Sequence, residues 1–203
     1  MGSMVAVVAW LATVSAGMWT LLIYAGTPGN SGEPPESWPA DSVIPPPTDR
    51  PVLLLMAHPR CSCTRATLGE LARLMARCGD RVRAHVLFLR PTGVPADWWK
   101  TDLWDSAAAI PDVDVTIDND GAESRRFRVA TSGHILLYGP DGGLLFSGGI
   151  TPARGHEGEN SGLDGLEHAI EQRTREVAQS LVFGCALSTP VAGNSGGSAP
   201  WTP

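Results

Sequence analysis

Two cysteines that are separated by one residue, Cys61 and Cys63, are the side chains in this sequence best suited to chemistry. They come after the apolar run 51–57 and at the start of a segment, 62–78, in which apolar residues recur with helical periodicity. A buried strand that leads into two thiols at the start of a helix is a typical arrangement for thiol redox chemistry. The free N–H groups and the positive dipole end of such a helix stabilise thiolate over thiol.

The one-residue spacing of the two cysteines leaves their chemistry open. A disulfide between them would close a small, strained ring, and strained disulfides are more oxidising and more labile. The same two sulfurs can instead bind a soft metal such as Cu(I) or Zn²⁺, and buried cysteines can also serve only as small apolar residues. The cations of Arg60 and Arg65 flank the pair and are expected to favour the thiolate state.

The elements that must position these thiols alternate along the chain. Apolar runs and alternating patterns predict strands, and apolar residues at helical spacing predict helices. The predicted strands are 52–57, 82–89, 113–117, 135–138 and 144–147, and the predicted helices are 62–78, 97–109, 122–128 and 163–181. Strands that alternate with helices and end in a hairpin followed by a helix indicate a three-layer α/β domain.

The N-terminal residues 1–25 are predicted to be a transmembrane anchor. Residues 4–25 carry no charge, and as a helix they span roughly 33 Å, which is enough for the hydrocarbon core of a bilayer. A cleaved signal peptide is the alternative, but no Lys or Arg precedes Arg50 and Ile23 would occupy position −3 of a cut after Ala25. An uncleaved single-pass anchor in the cell membrane is therefore expected.

The rest of the chain divides by composition. Residues 26–50 are rich in proline and are predicted to be an extended linker, residues 51–185 a globular domain, and residues 186–203 a disordered tail. We expect the domain to face the periplasm or the cell exterior, because a labile thiol pair is useful outside the cytoplasm. The net charge of −6 indicates no nucleic-acid partner. The sequence does not predict an oligomeric state.

The order of the elements, with the thiols between the first strand and the first helix, resembles the thioredoxin fold, in particular its membrane-anchored extracytoplasmic branch. The segment 57–63 corresponds to the active-site cysteines of those proteins, and the segment 135–149 to their terminal hairpin. The motifs HPRCSCTRATL, TSGHILLY and GGITPARGHEGENSG are similar to those of a small group of anchored thioredoxin-fold proteins called RedB-like. The resemblance covers residues 51 to about 181. It implies a thioredoxin-like three-layer sandwich with a central mixed sheet, preceded by one transmembrane helix.

Two departures from thioredoxins concern the site. The cysteines are one residue apart rather than two, so Arg60 takes the place of the first cysteine if Cys63 takes that of the second. Thioredoxins also have a cis-proline opposite the cysteines, where this sequence has Ser132, Gly133 and His134. The resemblance implies that these three residues bind substrate beside the thiols, although glycine leaves the thiols less covered than proline does.

Two residues far from the pair are further candidates for the site. In a thioredoxin-like fold the polar loop 151–162 lies on the same edge as the cysteines, so His156 is predicted to be a proton shuttle or a metal ligand there. The alternative is a solvated loop that caps the following helix. Cys185 follows an apolar patch and is either a packed residue, a resolving cysteine or one half of a structural bridge with Cys78.

The sequence thus predicts a membrane-anchored thiol–disulfide oxidoreductase that uses the Cys61-Ser62-Cys63 pair. Its partners would be protein or small-molecule thiols, and no cofactor is expected. One alternative is an extracytoplasmic module that binds copper or another soft metal through the same sulfurs with His134 or His156. Another is a thioredoxin fold that only binds partners and has no catalytic role.

Overall fold

Five helices and six strands alternate along residues 2–172 and 177–187, the part of the chain that the computed structural model describes. The helices are α1 (Gly2–Gly26), α2 (Ser62–Cys78), α3 (Asp102–Ala108), α4 (Ala122–Arg126) and α5 (Ser161–Gln172). The strands are β1 (Val52–Ala57), β2 (Arg83–Arg90), β3 (Val113–Asn119), β4 (His134–Tyr138), β5 (Leu144–Gly148) and β6 (Ala178–Gln179).

The strands form one mixed sheet with the order β3-β2-β1-β4-β5-β6. Strands β1, β2 and β3 are parallel, whereas β4 runs antiparallel to both β1 and β5. Every residue of β1 is buried, because β1 lies in the middle of the sheet and both of its faces are covered. The predicted three-layer α/β sandwich with a central mixed sheet is therefore confirmed.

Side chains of β1 alternate between two apolar clusters, one on each face of the sheet. Leu53, Leu55 and Ala57 join the cluster that contains the apolar sides of α2, α3 and α5. Val52 and Met56 join the opposite cluster, which contains Phe127, Val129, Leu136 and Tyr138. Strand β1 is thus fixed on both faces, and its carboxyl end delivers the chain to the cysteines at a defined position.

Helix α1 is long and apolar enough to cross a membrane. It has 25 residues, and an 18-residue window within it has a mean hydropathy of 1.8. None of its residues is buried against the rest of the protein. Length and composition alone do not separate an anchor from a signal sequence, so the membrane anchor stays a prediction at this point.

The proline-rich segment 26–50 differs from the extended linker that its composition predicts. The Trp38 ring packs edge-on against Phe127 and Tyr138, with centroids 5.1 and 5.2 Å away. The Ser42 hydroxyl donates a hydrogen bond of 2.7 Å to the buried carboxylate of Glu123. Aromatic burial and a buried acceptor hold this segment on the domain, so it covers the face of the sheet opposite to α2 and α5.

The predicted helix 163–181 is wrong at its carboxyl end. Helix α5 ends at Gln172, residues 173–176 lie outside the described residues, and Ala178 and Gln179 pair with β5 as strand β6. The edge of β5 offers unpaired backbone groups, and hydrogen bonding to them overrides a weak helical pattern. The Ser180 hydroxyl reinforces the pairing by donating to the Gly149 carbonyl at 2.7 Å.

The predicted disordered tail 186–203 begins with two placed residues. Ala186 bridges Thr131, and Leu187 is buried and donates its N–H to the Ala130 carbonyl at 2.9 Å. Residues 188–203 lie outside the described residues. The chain therefore returns across the sheet after β6, and this return determines the site described next.

Candidate active site

Cys61 is the residue that precedes α2. Its backbone is extended, with φ −111° and ψ 124°, and its carbonyl accepts the Arg65 N–H at 3.2 Å. Its own N–H donates to the His58 carbonyl at 3.2 Å, which closes the turn between β1 and α2. Cys61 and Cys63 are both buried, with 2% and 3% exposure. The sequence thus places the thiols at the first turn of the helix as predicted, but beneath the surface.

Cys185 meets Cys61 at this point. Their Sγ atoms are 2.9 Å apart, although the two residues are separated by 124 positions in the chain. Ser132 connects them, because its hydroxyl donates to Cys61 Sγ at 3.4 Å and accepts the Cys185 N–H at 2.9 Å. The Ser132 N–H also donates to the Cys185 carbonyl at 2.8 Å. Ser132 was predicted to lie beside the thiols, and the structure brings it there.

Residues 182–187, which we call the C-terminal segment, are held along their length by backbone hydrogen bonds. The Gly29 N–H donates to the Val182 carbonyl at 2.8 Å, and the pairing of Ala130 and Thr131 with Leu187 and Ala186 fixes the other end. These contacts hold Cys185 in place against Cys61.

Gly133 lies under the C-terminal segment at the position where the resemblance expects a cis-proline. The described residues contain no cis peptide bond, and Gly133 has a φ of +81°, a backbone conformation that favours glycine. A Cβ at this position would lie 3.3 Å from the Phe183 carbonyl oxygen. The C-terminal segment therefore packs against Gly133, at the position where the resemblance implies a proline.

The three sulfurs share one favoured thiolate, centred on Cys61. Hydrogen bonds from Cys185 and then Cys63 lower the pKa of the Cys61 thiol far below its ordinary value, with smaller help from Ser132 and the Thr64 N–H, and burial opposes them. The same interactions raise the pKa values of Cys63 and Cys185, since each gives its hydrogen bond to Cys61, is partly buried and faces the Cys61 charge. The direction of these shifts favours a thiolate on Cys61, with Cys63 and Cys185 as its hydrogen-bond donors.

Arg154 is the cation beside this cluster, and no pattern in the sequence pointed to it. Its guanidinium donates to the carbonyls of Gly184 at 2.7 Å and Thr27 at 3.0 Å, and it lies over the Tyr24 ring at 5.1 Å. Its charge also lowers the pKa values of Cys63 and Cys185, as the smallest of several causes. Arg154 therefore joins the end of α1 to the residue that precedes Cys185.

The predicted cations lie elsewhere. Arg60 is exposed, and its guanidinium stacks over the Trp98 ring at 5.2 Å. Arg65 forms a 2.6 Å ion pair with Asp102 of α3. Neither arginine is among the main causes of the lowered Cys61 pKa. Both guanidinium groups contact residues on the α3 side of the domain, and the structure does not bring them to the thiols.

The loop 151–162 borders the site through its backbone. The Gly155 N–H donates to Cys63 and lowers its pKa, against the larger effects that raise it. His156 is exposed, and its Nδ1 lies 2.7 Å from the Arg154 carbonyl. Its role as a proton shuttle stays a prediction. The buried carboxylate of Glu70 accepts the Gly158 N–H at 2.6 Å, which ties the loop to α2.

The three other histidine and cysteine candidates are placed as follows. His134 is fully buried, bonds Ser147 Oγ at 2.9 Å through Nε2, and has its pKa lowered to about 4 by burial, so the structure does not bring it to the thiols. His58, interpreted from sequence as a strand-end residue, lies near Cys61, and burial lowers its pKa against the opposing effect of the Cys61 charge. Cys78 is buried at the far end of α2.

Comparisons with known proteins concern the fold. No protein-family model matches the chain, and no curated protein matches it. A conserved protein from Geobacillus kaustophilus described as uncharacterized is 15% identical, with a TM-score of 0.58 over 82% of this chain and 95% of that one. A hypothetical protein from Sinorhizobium meliloti 1021 is also 15% identical, with a TM-score of 0.59 over 81% and 97%. StoA from Bacillus subtilis aligns less closely, with 12% identity and a TM-score of 0.47 over 72% and 99%.

The sheet order, the antiparallel β4–β5 hairpin and the cysteines between β1 and α2 decide the fold. The chain has a thioredoxin-like fold. The solved structures from Geobacillus kaustophilus and Sinorhizobium meliloti are similar in fold, and at 15% identity they add no activity to it. The narrower RedB-like resemblance stays a prediction. In this thioredoxin-like domain, the thiol next to the motif cysteines comes from the C-terminal segment.

The single thiolate predicts how the stability of the reduced protein depends on pH. The unfolded chain keeps a proton on Cys61 up to about pH 8.5, whereas the folded protein does not, so the unfolded state binds one more proton. The free energy of unfolding should therefore rise by up to about 1.4 kcal/mol per pH unit between about pH 7 and pH 8, and this gain is lost as the pH falls. Burial lowers the pKa values of His58, His85 and His134 in the folded protein, so they are neutral there. In the unfolded chain their pKa values return to about 6.5, so they add to the slope at about pH 7 and little at about pH 8.

Urea unfolding of the reduced full chain in detergent micelles measures this slope. The Cys61→Ser variant should flatten it, whereas Cys78→Ser, which changes a buried thiol outside the cluster, should keep it. Equal slopes for the wild type and Cys61→Ser would show that Cys61 is protonated in the folded protein.

Proposed function

We propose that this protein is a membrane-anchored thiol–disulfide oxidoreductase in which Cys61 and Cys185 are the working pair and Cys63 is an auxiliary thiol. The contact of 2.9 Å between the Cys61 and Cys185 sulfurs carries this proposal. Cys61 and Cys185 come from opposite ends of the domain, and their sulfurs are already in contact. Little movement is therefore needed to form a disulfide between them. The sequence predicted Cys61 and Cys63 as the working pair. In this proposal a disulfide between them is secondary to the one between Cys61 and Cys185.

The proposed reaction is a two-electron exchange between this cysteine pair and a partner. A thiolate attacks one sulfur of a disulfide, forms a mixed disulfide and releases the other sulfur as a thiolate. A second thiolate then attacks the mixed disulfide and completes the exchange. The pair loses two electrons when it becomes a disulfide, and the partner disulfide gains them as two thiols. The reverse sequence oxidises a partner, so the substrates are protein or small-molecule thiols and disulfides.

The proposed location follows from α1 and from the redox chemistry. Helix α1 has the length and apolar character of a membrane span, and its residues are free of contacts that would bury them in the domain. The backbone N–H of Arg154 donates to the Ala25 carbonyl at 3.1 Å, so the end of the helix lies beside the site loop. A domain outside the cytoplasm fits a cysteine pair that must cycle through a disulfide.

The metal-binding alternative gains no support from the geometry. It was predicted to use His134 or His156 beside the sulfurs. His134 is buried against Ser147, and the His156 ring lies against the Arg154 carbonyl. Within residues 2–172 and 177–187, no group of three or more His, Cys, Asp and Glu side chains is arranged to hold a metal ion. Redox exchange is therefore the function that the site supports best.

Disulfide mapping tests the proposal. We expect oxidised glutathione to convert the reduced full chain, in detergent micelles, to a form with one intramolecular disulfide between Cys61 and Cys185. The Cys185→Ser variant should lose this disulfide, and Cys78→Ser should keep it. The proposal is wrong if the four thiols stay free, or if the wild type joins Cys61 to Cys63 while Cys185 stays free.

A further inference from the structure

The two sulfurs of the proposed working pair differ in their access to a partner. Cys61 is 2% exposed and lies beneath the C-terminal segment, whereas Cys185 is exposed. Attack on a disulfide requires the incoming sulfur to reach the sulfur that it attacks. In the oxidised protein, an external thiolate can therefore reach the sulfur of Cys185 and is kept from the sulfur of Cys61.

The surroundings of the two sulfurs differ in the same direction. Cys61 Sγ receives hydrogen bonds from the Cys185 thiol at 2.9 Å and the Ser132 hydroxyl at 3.4 Å, and it lies at the start of α2. In the mixed disulfide the Cys185 sulfur is bonded to the substrate and has no proton to donate, so the Ser132 hydroxyl, the Cys63 thiol and the dipole of α2 stabilise the charge that Cys61 then carries. The Cys185 thiol adds its hydrogen bond once the substrate disulfide has left. Among the described residues, the hydrogen bond of the Cys185 sulfur is the one that it donates to Cys61.

We propose that the Cys61–Cys185 disulfide is a disulfide donor, in which the substrate attacks the exposed Cys185 sulfur and Cys61 leaves as a buried thiolate. This inference rests on the proposed function and adds to it the direction of the reaction, the entry sulfur and the class of substrate. The substrate is a chain or small molecule that carries two thiols on an accessible surface.

The step balances without any further reagent. The first substrate thiolate bonds to Cys185 Sγ, the Cys61–Cys185 bond breaks, and Cys61 takes the electron pair. The second substrate thiolate then attacks the substrate sulfur of this mixed disulfide, and Cys185 leaves and takes one proton. The substrate has lost two electrons and two protons, of which one proton stays on Cys185 and one goes to solvent. The protein has gained two electrons.

The direction follows from which sulfur leaves. A thiol with a low pKa leaves faster, and a stabilised thiolate in the reduced protein makes its disulfide more oxidising. In the reduced protein the pKa of Cys61 is lowered and that of Cys185 is raised, mainly by the hydrogen bond between them, which favours the reduced form with its charge on Cys61. In the first step the donors that remain, Ser132 and Cys63, face Cys61, which favours departure of Cys61 over departure of Cys185. Access and leaving-group stability thus point to the same assignment.

Trapping of the mixed disulfide tests the entry sulfur. The full-length Cys63→Ser variant in detergent micelles leaves Cys61 and Cys185 as the only two thiols of the cluster, with Cys78 buried outside it. Its disulfide form is mixed briefly with reduced glutathione, the free thiols are alkylated, and the glutathione adduct is located by peptide mass mapping. We expect the adduct on Cys185 and the alkyl group on Cys61. An adduct mainly on Cys61 would overturn the inference.

Redox equilibrium with glutathione tests the direction. Because one proton is released to solvent, the constant for oxidation of glutathione should rise about tenfold per pH unit between about pH 6 and pH 8. The other charged or titratable groups that face the cluster do not change their charge over most of this range. Cys63 stays a thiol because its pKa is raised, and His58 stays neutral because its pKa is lowered. The Arg154 guanidinium is a fixed positive charge. A constant that does not change with pH would overturn the inference, because Cys61 would then leave as a thiol.

The Ser132→Ala variant removes one hydrogen bond to the Cys61 thiolate. We expect it to make the protein about tenfold less oxidising, since a hydrogen bond to a charged group has about this effect. Ser62→Ala, at an exposed neighbour, is the matched control and should leave the constant unchanged. An unchanged constant in Ser132→Ala would overturn the assignment of Cys61 as the stabilised thiolate. Absence of the Cys61–Cys185 disulfide in the wild type would instead refute the proposed function itself.

Discussion

Replacing Cys61 with serine is expected to reduce dithiol–disulfide exchange to the level of a protein-free control. Cys61 is the sulfur to which both Cys63 and Cys185 donate, so its loss removes the favoured thiolate of the cluster and both disulfides that contain Cys61. Serine keeps the size of the side chain but is neither a soft nucleophile nor able to form a disulfide. The effect on rate should therefore be the largest of any single substitution at the site.

The other cysteines should follow in a defined order. Cys185→Ser removes the working partner and should be nearly as severe as Cys61→Ser. Cys63→Ser should cost a few-fold, because it removes one of several hydrogen bonds to Cys61. Cys78→Ser should leave exchange unchanged. The rate of glutathione exchange on the full chain in detergent micelles gives all four values.

The reverse order of Cys63 and Cys185 would refute the proposed pairing. If Cys63→Ser abolishes exchange and Cys185→Ser does not, the motif Cys61-Ser62-Cys63 is the working pair. The contact between Cys61 and Cys185 would then serve only to hold the C-terminal segment in place.

The part of the fold that could be predicted from sequence is the part that local pattern determines. Strand β1 and helix α2 have the predicted bounds, since a continuous apolar run and a strong helical repeat leave few alternatives. Helix α3 is shorter than the predicted 97–109, because Thr101 precedes its first turn and donates its hydroxyl to the Pro59 carbonyl at 2.9 Å. This contact joins parts of the chain that are 42 residues apart, and local patterns carry no information about it.

The position of Cys185 could not be derived for the same reason. A helix through residue 181 would carry the following residues away from α2, whereas pairing of Ala178 with Phe146 turns the chain back over the sheet. Strand pairing between distant segments depends on the tertiary structure rather than on periodicity. The sequence suggested Cys185 as a resolving cysteine only because a cysteine that follows an apolar patch is unusual outside a folded core.

The cations and histidines of the site show a second limit. Sequence proximity favoured Arg60, but a side chain at the start of a helix can point away from its neighbour, and Arg60 stacks on Trp98. Arg154 lies 91 positions after Cys63 and reaches the cluster because the loop 151–162 is tied to α2 through Glu70. His134 begins β4 and shares the face of Leu136 and Tyr138, so the alternation of the strand directs it away from α2.

Replacing Gly184 with alanine is expected to separate Cys185 from Cys61. A Cβ at Gly184 would collide with the carbonyl oxygen of Ser132, and this oxygen belongs to backbone that β4 and the Cys185 hydrogen bonds hold in place. The C-terminal segment has to move, because a backbone oxygen cannot rotate away as a flexible side chain can. Overpacking of this kind costs about 1–3 kcal/mol.

The expected result for Gly184→Ala is at least a tenfold slower formation of the Cys61–Cys185 disulfide, since a loss of about 1.4 kcal/mol in favourable positioning corresponds to a factor of ten. The matched control is Gly165→Ala in α5, where a Cβ would meet Phe146 and Ala178 at ordinary distances of 3.7 and 3.9 Å. Alanine there should stabilise the helix by about 0.5–1 kcal/mol and leave disulfide formation unchanged. Quenched alkylation during oxidation by oxidised glutathione measures both rates. If Gly184→Ala forms the disulfide as fast as Gly165→Ala, the C-terminal segment is free to move, and its hydrogen bonds to Ser132, Arg154 and Gly29 do not position Cys185.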